Sequence, residues 1–562
     1  MGSPRARRID RRRRRGYVSP AMSDAAESPP LSPARATLAA LRRAFQADPV
    51  LTLVFPVAVI ASVVPFWVGR YLPFLDMPQH LATIAVVHGL GDPSTGYADY
   101  FTLEWASTPY LLYYLVSDGL ASLIGVDAAN RVFLSAYAAL LPIALLSFLR
   151  AFHRAEAAAL LGIPLAFNAF LFYGFVNYVF AFPFLLFGLA LAKRRLEVRV
   201  PPTATSQVRA LIPEALIAVV IYYSHLQVFL VYVGGIGLLL LLHWPGLRSV
   251  GRRVLHLVPV GVLFLTWLAL TDGLAGGEAW KRSVASRYET LTSAEWEPLW
   301  ETINKASERL LSVYYDRSDE LLTLALGFAL LVVLLTRGLG DRDRRTSLFP
   351  ELLTLCVFGF YVALPTSYKW IWPVSWRFLP LAVVLLCTWG SASLGRWARA
   401  GLAAAFGALA LYAAGTHARH FREFAAEAGD FQAVLDATEP RKRLLTLCFD
   451  AGSAVVLGPA YLHFGQYYQI QKGGVATYSF SEAPQSPMRF KAFEEGGPPP
   501  TPLRSEWKAH EFRFPNGGRW YDYLLLRGEP PGFAHSAQLP RGEVALKLRV
   551  GKWSLYEHAR GH

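Results

Sequence analysis

Cysteine is scarce in this chain. Three residues in 562, Cys356, Cys387 and Cys448, cannot build a disulfide scaffold, and none sits in a CxxC spacing of the kind that holds zinc. The first two lie in apolar runs, where a cysteine is a small core residue. Charge is scarce as well. Asp, Glu, Lys and Arg make up 17% of the chain, against about 25% in soluble globular proteins. With 53% hydrophobic residues, the bulk of the chain is neither disordered nor collagen-like. Also missing are GxxxxGK[ST], GxSxG and HExxH, which excludes a P-loop, a nucleophile elbow and a zincin helix. No internal repeat is visible.

The charge that is present leans one way. Lys plus Arg number 55 and Asp plus Glu 41, a net of +14. Residues 1–50 hold eleven Arg against four acids, a net of +7 and half of the total. Arg11 to Arg15 form the centre of a basic tail, expected to be disordered over 1–45. Such a tail suits RNA or anionic lipid, and equally a plain cytoplasmic topology signal, which is the reading taken here; no nucleic-acid partner is expected. Met22 is an alternative start. A cleaved signal peptide is not expected, because the first apolar stretch is long and no small-residue cleavage pattern follows it.

Long apolar runs dominate the remainder. A bilayer core of about 30 Å needs roughly 20 apolar residues as helix. Runs of suitable length cover 50–68, 131–149, 157–173, 176–192, 208–224, 226–243, 252–271, 320–336, 349–365, 378–394 and 400–415, about eleven spans. The basic loop clusters are Arg150/Arg154, Lys193/Arg194/Arg195/Arg199, Arg248/Arg252/Arg253, Arg337/Arg342/Arg344/Arg345 and Arg396/Arg399. With eleven spans they all fall on the side of the basic tail, as the positive-inside rule requires. Counting 109–126 as a twelfth span would put all five opposite that tail. This segment, with Tyr110, Tyr113, Tyr114, Ser117 and Asp118, therefore reads as an interfacial or re-entrant helix.

The expected architecture is an α-helical polytopic membrane protein with a multi-span domain over 46–415. Outer loops cover 69–130 and 272–319, and a C-terminal extracytoplasmic α/β or α+β domain covers 416–562. That domain begins with a predicted helix at 417–437. Predicted strands follow at 443–449, 475–480, 511–514, 521–527, 544–550 and 553–557. The chain is expected in the cytoplasmic (inner) membrane, with its N-terminus in the cytoplasm.

Chemistry is sought at the outer face. After the first span the sequence reads GRYLPFLDMPQHLATIAVVHGL. Asp76 and His80 are four apart, so a helix starting at Asp76 puts them on one face. In one reading Asp76 caps a short surface helix and His80 lies a turn along. In the other, Asp76 is a partly desolvated carboxylate whose pKa is raised towards that of a useful general base.

An apolar first helix followed at once by an acid in a non-cytoplasmic loop resembles the GT-C superfamily of integral-membrane glycosyltransferases. STPYLLYYLVSDGLASLIG followed by AANRVFLSAYAALLPIALLSFLR resembles their interfacial helix and second span, and the closing soluble domain agrees. The resemblance covers 50–415 in layout and about 70–150 in residue pattern. It implies inverting transfer of a hexosyl or pentosyl group from a polyprenyl-phosphate donor to a glycan, lipid or protein acceptor outside the membrane, with Asp76 as base. Many members carry two near-adjacent acids in this loop. Here Leu75 and Met77 flank Asp76, and Asp99 and Glu104 are the later acids that could supply a second carboxylate. No metal ligand set is assigned; a divalent cation, Mg²⁺ or Mn²⁺, is the cofactor such a site could take.

The departing lipid phosphate needs cations. LPTSYKWIWPVSWRFLPL supplies Lys369 and Arg377 with Trp370, Trp372 and Trp376, as a phosphate clamp or as snorkelling interfacial anchors. Lys281, Arg282 and Arg287 are further candidates. Polar residues near outer span ends include Asn168, Tyr173, Asn177 and Tyr178 in one hairpin and Tyr222, Tyr223, Ser224, His225 and Gln227 in another. They suit a cavity lining, with His225 and Asn177 as substrate contacts, or helix-to-helix hydrogen bonding. HFGQYYQIQKGG at 463–474 suits a carbohydrate surface or, preferred here, a folded core. Two readings compete with the enzyme. A lipid or glycan transporter or flippase should carry midspan charges, which are few here. A membrane-anchored scaffold would need only one span.

Overall fold

In the computed structural model the described residues are 42–105, 108–197, 204–243, 247–271, 294–337, 348–368, 371–483, 485–499, 507–533, 539 and 542–558. Seven helices among them are long and apolar enough to cross a membrane: Pro49–Trp67, Val126–Ala151, Glu156–Tyr173, Val176–Glu197, Leu226–His243, Ser318–Thr336 and Arg396–Glu427. Five shorter apolar helices accompany them: Leu112–Ile124, Leu211–Ser224, Leu255–Ala269, Phe349–Ala363 and Ser375–Trp389. With Leu112–Ile124 set aside as interfacial, the seven long and four short helices match the number of spans read from hydropathy. The first helix starts where local chemistry dictates. Pro49 occupies its first turn, and the Asp48 carboxylate accepts from the Leu51 N–H at 3.0 Å.

Two predicted boundaries differ. The run 157–173 is not one regular helix. It is a 3₁₀ segment, Glu156–Leu161, then short α-helices Gly162–Ala166 and Ala169–Tyr173. Asn168 breaks it by turning its side chain onto the Phe170 N–H at 3.0 Å. The run 400–415 and the predicted helix at 417–437 instead form one 32-residue helix, Arg396–Glu427, followed by Phe431–Asp436. No proline interrupts that helix. At Gly407 it lies so close to the first helix that a Cβ there would collide with Val54.

Among the described residues, side chains of the basic loops meet at one end of the bundle. Arg154 donates twice to Glu351, at 2.8 and 2.9 Å, Arg337 lies 3.2 Å from the same carboxylate, and Ala155 N–H bonds Gly390 O. The other end carries the loops that reach the C-terminal region. There Phe101–Leu103 pairs antiparallel with Met488–Phe490, and Ala294–Glu295 pairs with Ser367–Tyr368.

The C-terminal region holds a five-stranded mixed sheet. Its order is Val475–Thr477, Arg443–Cys448, Tyr523–Arg527, Trp553–His558, Val544–Val550. The first three strands are parallel and the last two antiparallel. Residues 511–514 form no strand. Ala509–Glu511 is a 3₁₀ turn, and the apolar Phe512 and Phe514 are instead buried as irregular chain against the sheet. The helix Gln466–Lys472 packs on Met77–Gly89, so this region sits directly on the first outer loop.

Candidate active site

Asp76 is the residue on which the outer end converges. The first helix ends at Trp67, and Arg131 closes that end. Its guanidinium donates to Phe66 O, Gly69 O and Arg70 O at 2.5–2.8 Å and to Asp127 at 2.7 Å, satisfying carbonyls that a helix C-terminus leaves orphaned. The chain then runs as irregular bends to Asp76, and Met77–Gly89 begins with Pro78 in its first turn. Asp76 stands at the N-cap position, yet its side chain makes no capping hydrogen bond. Its carboxylate is thus not spent on the helix. The loop is held by its backbone instead: Leu75 N–H donates to Phe172 O at 2.8 Å and Asp76 N–H to Tyr173 O at 3.2 Å. Gly174, at φ +93°, presses against Asp76 so closely that a Cβ would lie 2.6 Å from the Asp76 Cβ. The Asp76 side chain keeps 18% of its surface exposed, and Oδ1 lies 3.4 Å from His463 Nε2.

His80 is one turn along and buried. Gly174 O can only accept, so the 3.0 Å contact requires Nε2–H on His80; Nδ1 then accepts from the Tyr114 hydroxyl at 2.9 Å. Burial pushes its pKa down to about 4, against the opposing pull of the Asp76 charge and the Gly174 bond. A neutral His80 therefore ties the loop helix to Leu112–Ile124 and to the 169–176 hairpin. The segment expected at the interface does form a helix, Leu112–Ile124.

The far side of the same hairpin holds Arg377. Its guanidinium lies over the Phe175 ring, 4.9 Å from the centroid, with Nη2 donating to Trp372 O at 3.3 Å and Nη1 3.4 Å from His225 Nε2. No described carboxylate lies within ion-pair distance of it. Because arginine only donates, His225 Nε2 accepts and its proton resides on Nδ1. That Nδ1, Arg377 Nε, the Tyr178 hydroxyl and Asn177 Oδ1 are buried with no hydrogen-bond partner among the described residues. Tyr110 stacks on the His225 ring at 5.1 Å, and Tyr178 meets it edge-on at 5.0 Å. Native proteins seldom leave such groups unsatisfied. Three of the four orphans are N–H or O–H donors around a cation with no acidic partner among the described residues, a set that suits an anion.

The other sequence-predicted residues lie elsewhere or cannot be placed. Asp99 is exposed in a 3₁₀ turn. Glu104 is exposed and lies 3.3 Å from Arg489 Nε, beside the Phe101–Leu103 strand. Among the described residues neither is joined to Asp76 by a hydrogen bond or ion pair. Lys369, Trp370, Lys281, Arg282 and Arg287 lie outside the described residues. Among the described residues no three or more His, Cys, Asp or Glu side chains gather as a metal ligand set.

His463 and Gln79 were missed by the sequence reading. His463 arrives from the segment that looked like core, and Gln79 from the helix between Asp76 and His80. No spacing rule links positions 384 residues apart; the only local signal was a histidine opening an aromatic-and-amide run.

No family model matches the chain, and no curated protein matches it in sequence. The solved structures that match in three dimensions include two of one protein. One is ArnT from Cupriavidus metallidurans bound to undecaprenyl phosphate: 12% identity, TM-score 0.52, covering 90% of this chain and 97% of that one. The other is the same protein in the apo state, at 11% identity with the same TM-score and coverage. The chain shares the fold of these ArnT structures. Within it, the C-terminal β-rich region and the Asp76 loop lie at the end of the bundle opposite the basic loops.

Proposed function

We propose that the chain is a GT-C membrane glycosyltransferase that moves a sugar from a polyprenyl-phosphate donor to an acceptor at the outer face of the membrane. One observation carries the proposal: a carboxylate that makes no capping hydrogen bond to its own helix and an arginine with no acidic partner among the described residues flank one hairpin, Asp76 against Gly174 and Arg377 over Phe175. The GT-C fold supports it, and ArnT in that fold has been solved with undecaprenyl phosphate bound.

In this reading the acceptor hydroxyl attacks the anomeric carbon while its proton passes to Asp76. The bond from that carbon to the phosphate oxygen breaks, and the electron pair leaves with the lipid phosphate. Arg377, His225 Nδ1–H and Tyr178 O–H receive the phosphate, with Asn177 Oδ1 free to accept from a sugar hydroxyl. A base of this kind contributes about 10²–10⁴-fold in rate. The acceptor is a glycan, lipid or protein, and Lys369 belongs to the same proposed phosphate-binding loop. The test compares membranes carrying wild type or Asp76→Asn, supplied with radiolabelled polyprenyl-phosphate hexoses and pentoses. Label transfer by wild type and its loss in the variant are expected. Equal incorporation by both would remove Asp76 from the mechanism.

A further inference from the structure

Resting on that reading, we infer that His463, delivered by the C-terminal region, is the positioning residue of Asp76, and that Gln79 sets its tautomer. The argument is hydrogen-bond arithmetic. Phe480 N–H donates to Gln79 Oε1 at 2.9 Å, and Gln79 Nε2 donates to Tyr478 O at 2.8 Å. A backbone donor on one end and a backbone acceptor on the other leave the amide only one orientation. The second hydrogen of Nε2 then points at His463 Nδ1, 3.0 Å away. That nitrogen must accept, so the ring carries its proton on Nε2, the atom 3.4 Å from Asp76 Oδ1. Protonating Nδ1 would set N–H against N–H with an amide that cannot turn.

His463 is buried, as is Gln79. Among the groups facing the imidazole are the Asp76 carboxylate, the Gln79 amide and the Phe480 ring at 6.4 Å, with His80 one helical turn beyond Asp76 and Thr446, Gln466 and Tyr478 lining the same small cavity. In this state His463 is a donor to Asp76 and no sink for its proton. It fixes which carboxylate oxygen is occupied and leaves Oδ2 to meet the acceptor hydroxyl. The C-terminal region thereby completes the site. Only when Tyr478 and Phe480 are docked on the loop helix is Gln79 aligned, and only then is the His463 ring oriented.

Two measurements test this. The first needs no substrate: ¹⁵N-histidine NMR of the full chain in nanodiscs, with the His463 signals identified by their loss in His463→Gln. The neutral Nε2–H form should persist from pH 7.5 to pH 5 in wild type, and Gln79→Leu should allow protonation within that range. A wild-type ring that is in the Nδ1–H form, or that charges above pH 5, overturns the inference. The second is the labelled-sugar assay with His463→Gln, which keeps an N–H near Nε2, and His463→Phe, which does not. Expected is a kcat loss of about 10²-fold in His463→Phe with KM for the lipid donor within about twofold, and recovery of at least a tenth of wild-type kcat in His463→Gln. If Asp76→Asn is inactive while His463→Phe keeps wild-type kcat, the positioning role is wrong and the glycosyltransferase reading stands. If Asp76→Asn is fully active, that reading fails independently of the NMR result.

Discussion

Replacing Gly174 by alanine should damage activity far more than stability. Gly174 has φ +93°, a left-handed conformation that costs an L-residue about 1–2 kcal/mol. The reduced freedom of the unfolded chain returns about 0.4–1 kcal/mol. The stability loss from the backbone alone is therefore about 1 kcal/mol. The contact is the larger matter. An alanine Cβ would lie 2.6 Å from Asp76 Cβ, 3.0 Å from Asp76 N and 3.1 Å from Asp76 Cα. These are root atoms, not the tip of a flexible side chain, so Asp76 itself must retreat by about 1 Å to reach ordinary carbon contact distance. Misplacement on that scale costs roughly 10²-fold in rate. Gly496 supplies the control: it is left-handed too, at φ +97°, and a Cβ there meets only Asp99 O at 3.6 Å, an ordinary contact. Gly496→Ala should lose as much thermal stability in detergent and keep its transfer rate. Gly174→Ala should lose about a hundredfold in rate with the donor KM unchanged. Equal rates in the two variants would refute the claim that Asp76 must be held where Gly174 lets it sit.

Three other outcomes follow from the geometry. His80 is held at a pKa of about 4, below the ordinary 6.5, so the unfolded state binds more protons between those values. Stability is fully present above pH 6.5 and falls by about 3 kcal/mol as pH drops through 6.5 towards 4; thermal melts across that range should show the loss, and His80→Gln should flatten it. Arg377→Gln removes a charge that has no described acidic partner, and should weaken retention of undecaprenyl phosphate by about 10–100-fold, as loss of a charged hydrogen bond worth about 1.5–3 kcal/mol implies; unchanged binding by native mass spectrometry would contradict the anion assignment. Arg154→Ala strips the buried Glu351 of the partner that donates to both its oxygens and leaves it, among the described residues, the cation of Arg337. It should cost about 3 kcal/mol in stability without changing the rate per folded molecule, because it lies at the opposite end of the bundle.

Long apolar runs and the sign of their loops made the architecture legible, since a bilayer constrains both length and charge. Leu112–Ile124 could be kept out of the span count because a polar Asp118 is costly at bilayer depth and because counting it as a span would invert every basic loop. The break at Asn168 was not visible, because Asn168 acts through its own backbone and leaves mean hydropathy untouched. Asp76 could be singled out from position alone, but not whether it caps its helix; only the backbone bonds to Phe172 and Tyr173 explain why the cap is unused. Arg377 and His225 were each visible as polar residues at a span end, and their union requires the 169–176 hairpin to lie between helices. His463 was out of reach because it is fixed by tertiary contacts with Gln79 and Asp76. The pairing of Phe101–Leu103 with Met488–Phe490 was missed for the same reason, being two three-residue strands joined across the chain.

The account requires the Asp76 loop to face the outside of the cell, and labelling measures this most directly. With Cys356, Cys387 and Cys448 replaced by alanine, the chain has no other thiol. Ser94→Cys then places one in the exposed turn after the loop helix, and Ser393→Cys places one in the exposed segment before Arg396–Glu427, at the basic end. A membrane-impermeant maleimide applied to intact cells should label Ser94→Cys and leave Ser393→Cys untouched until lysis. Protection of Ser94→Cys in intact cells, with labelling only after lysis, would place Asp76 in the cytoplasm and contradict the proposed chemistry.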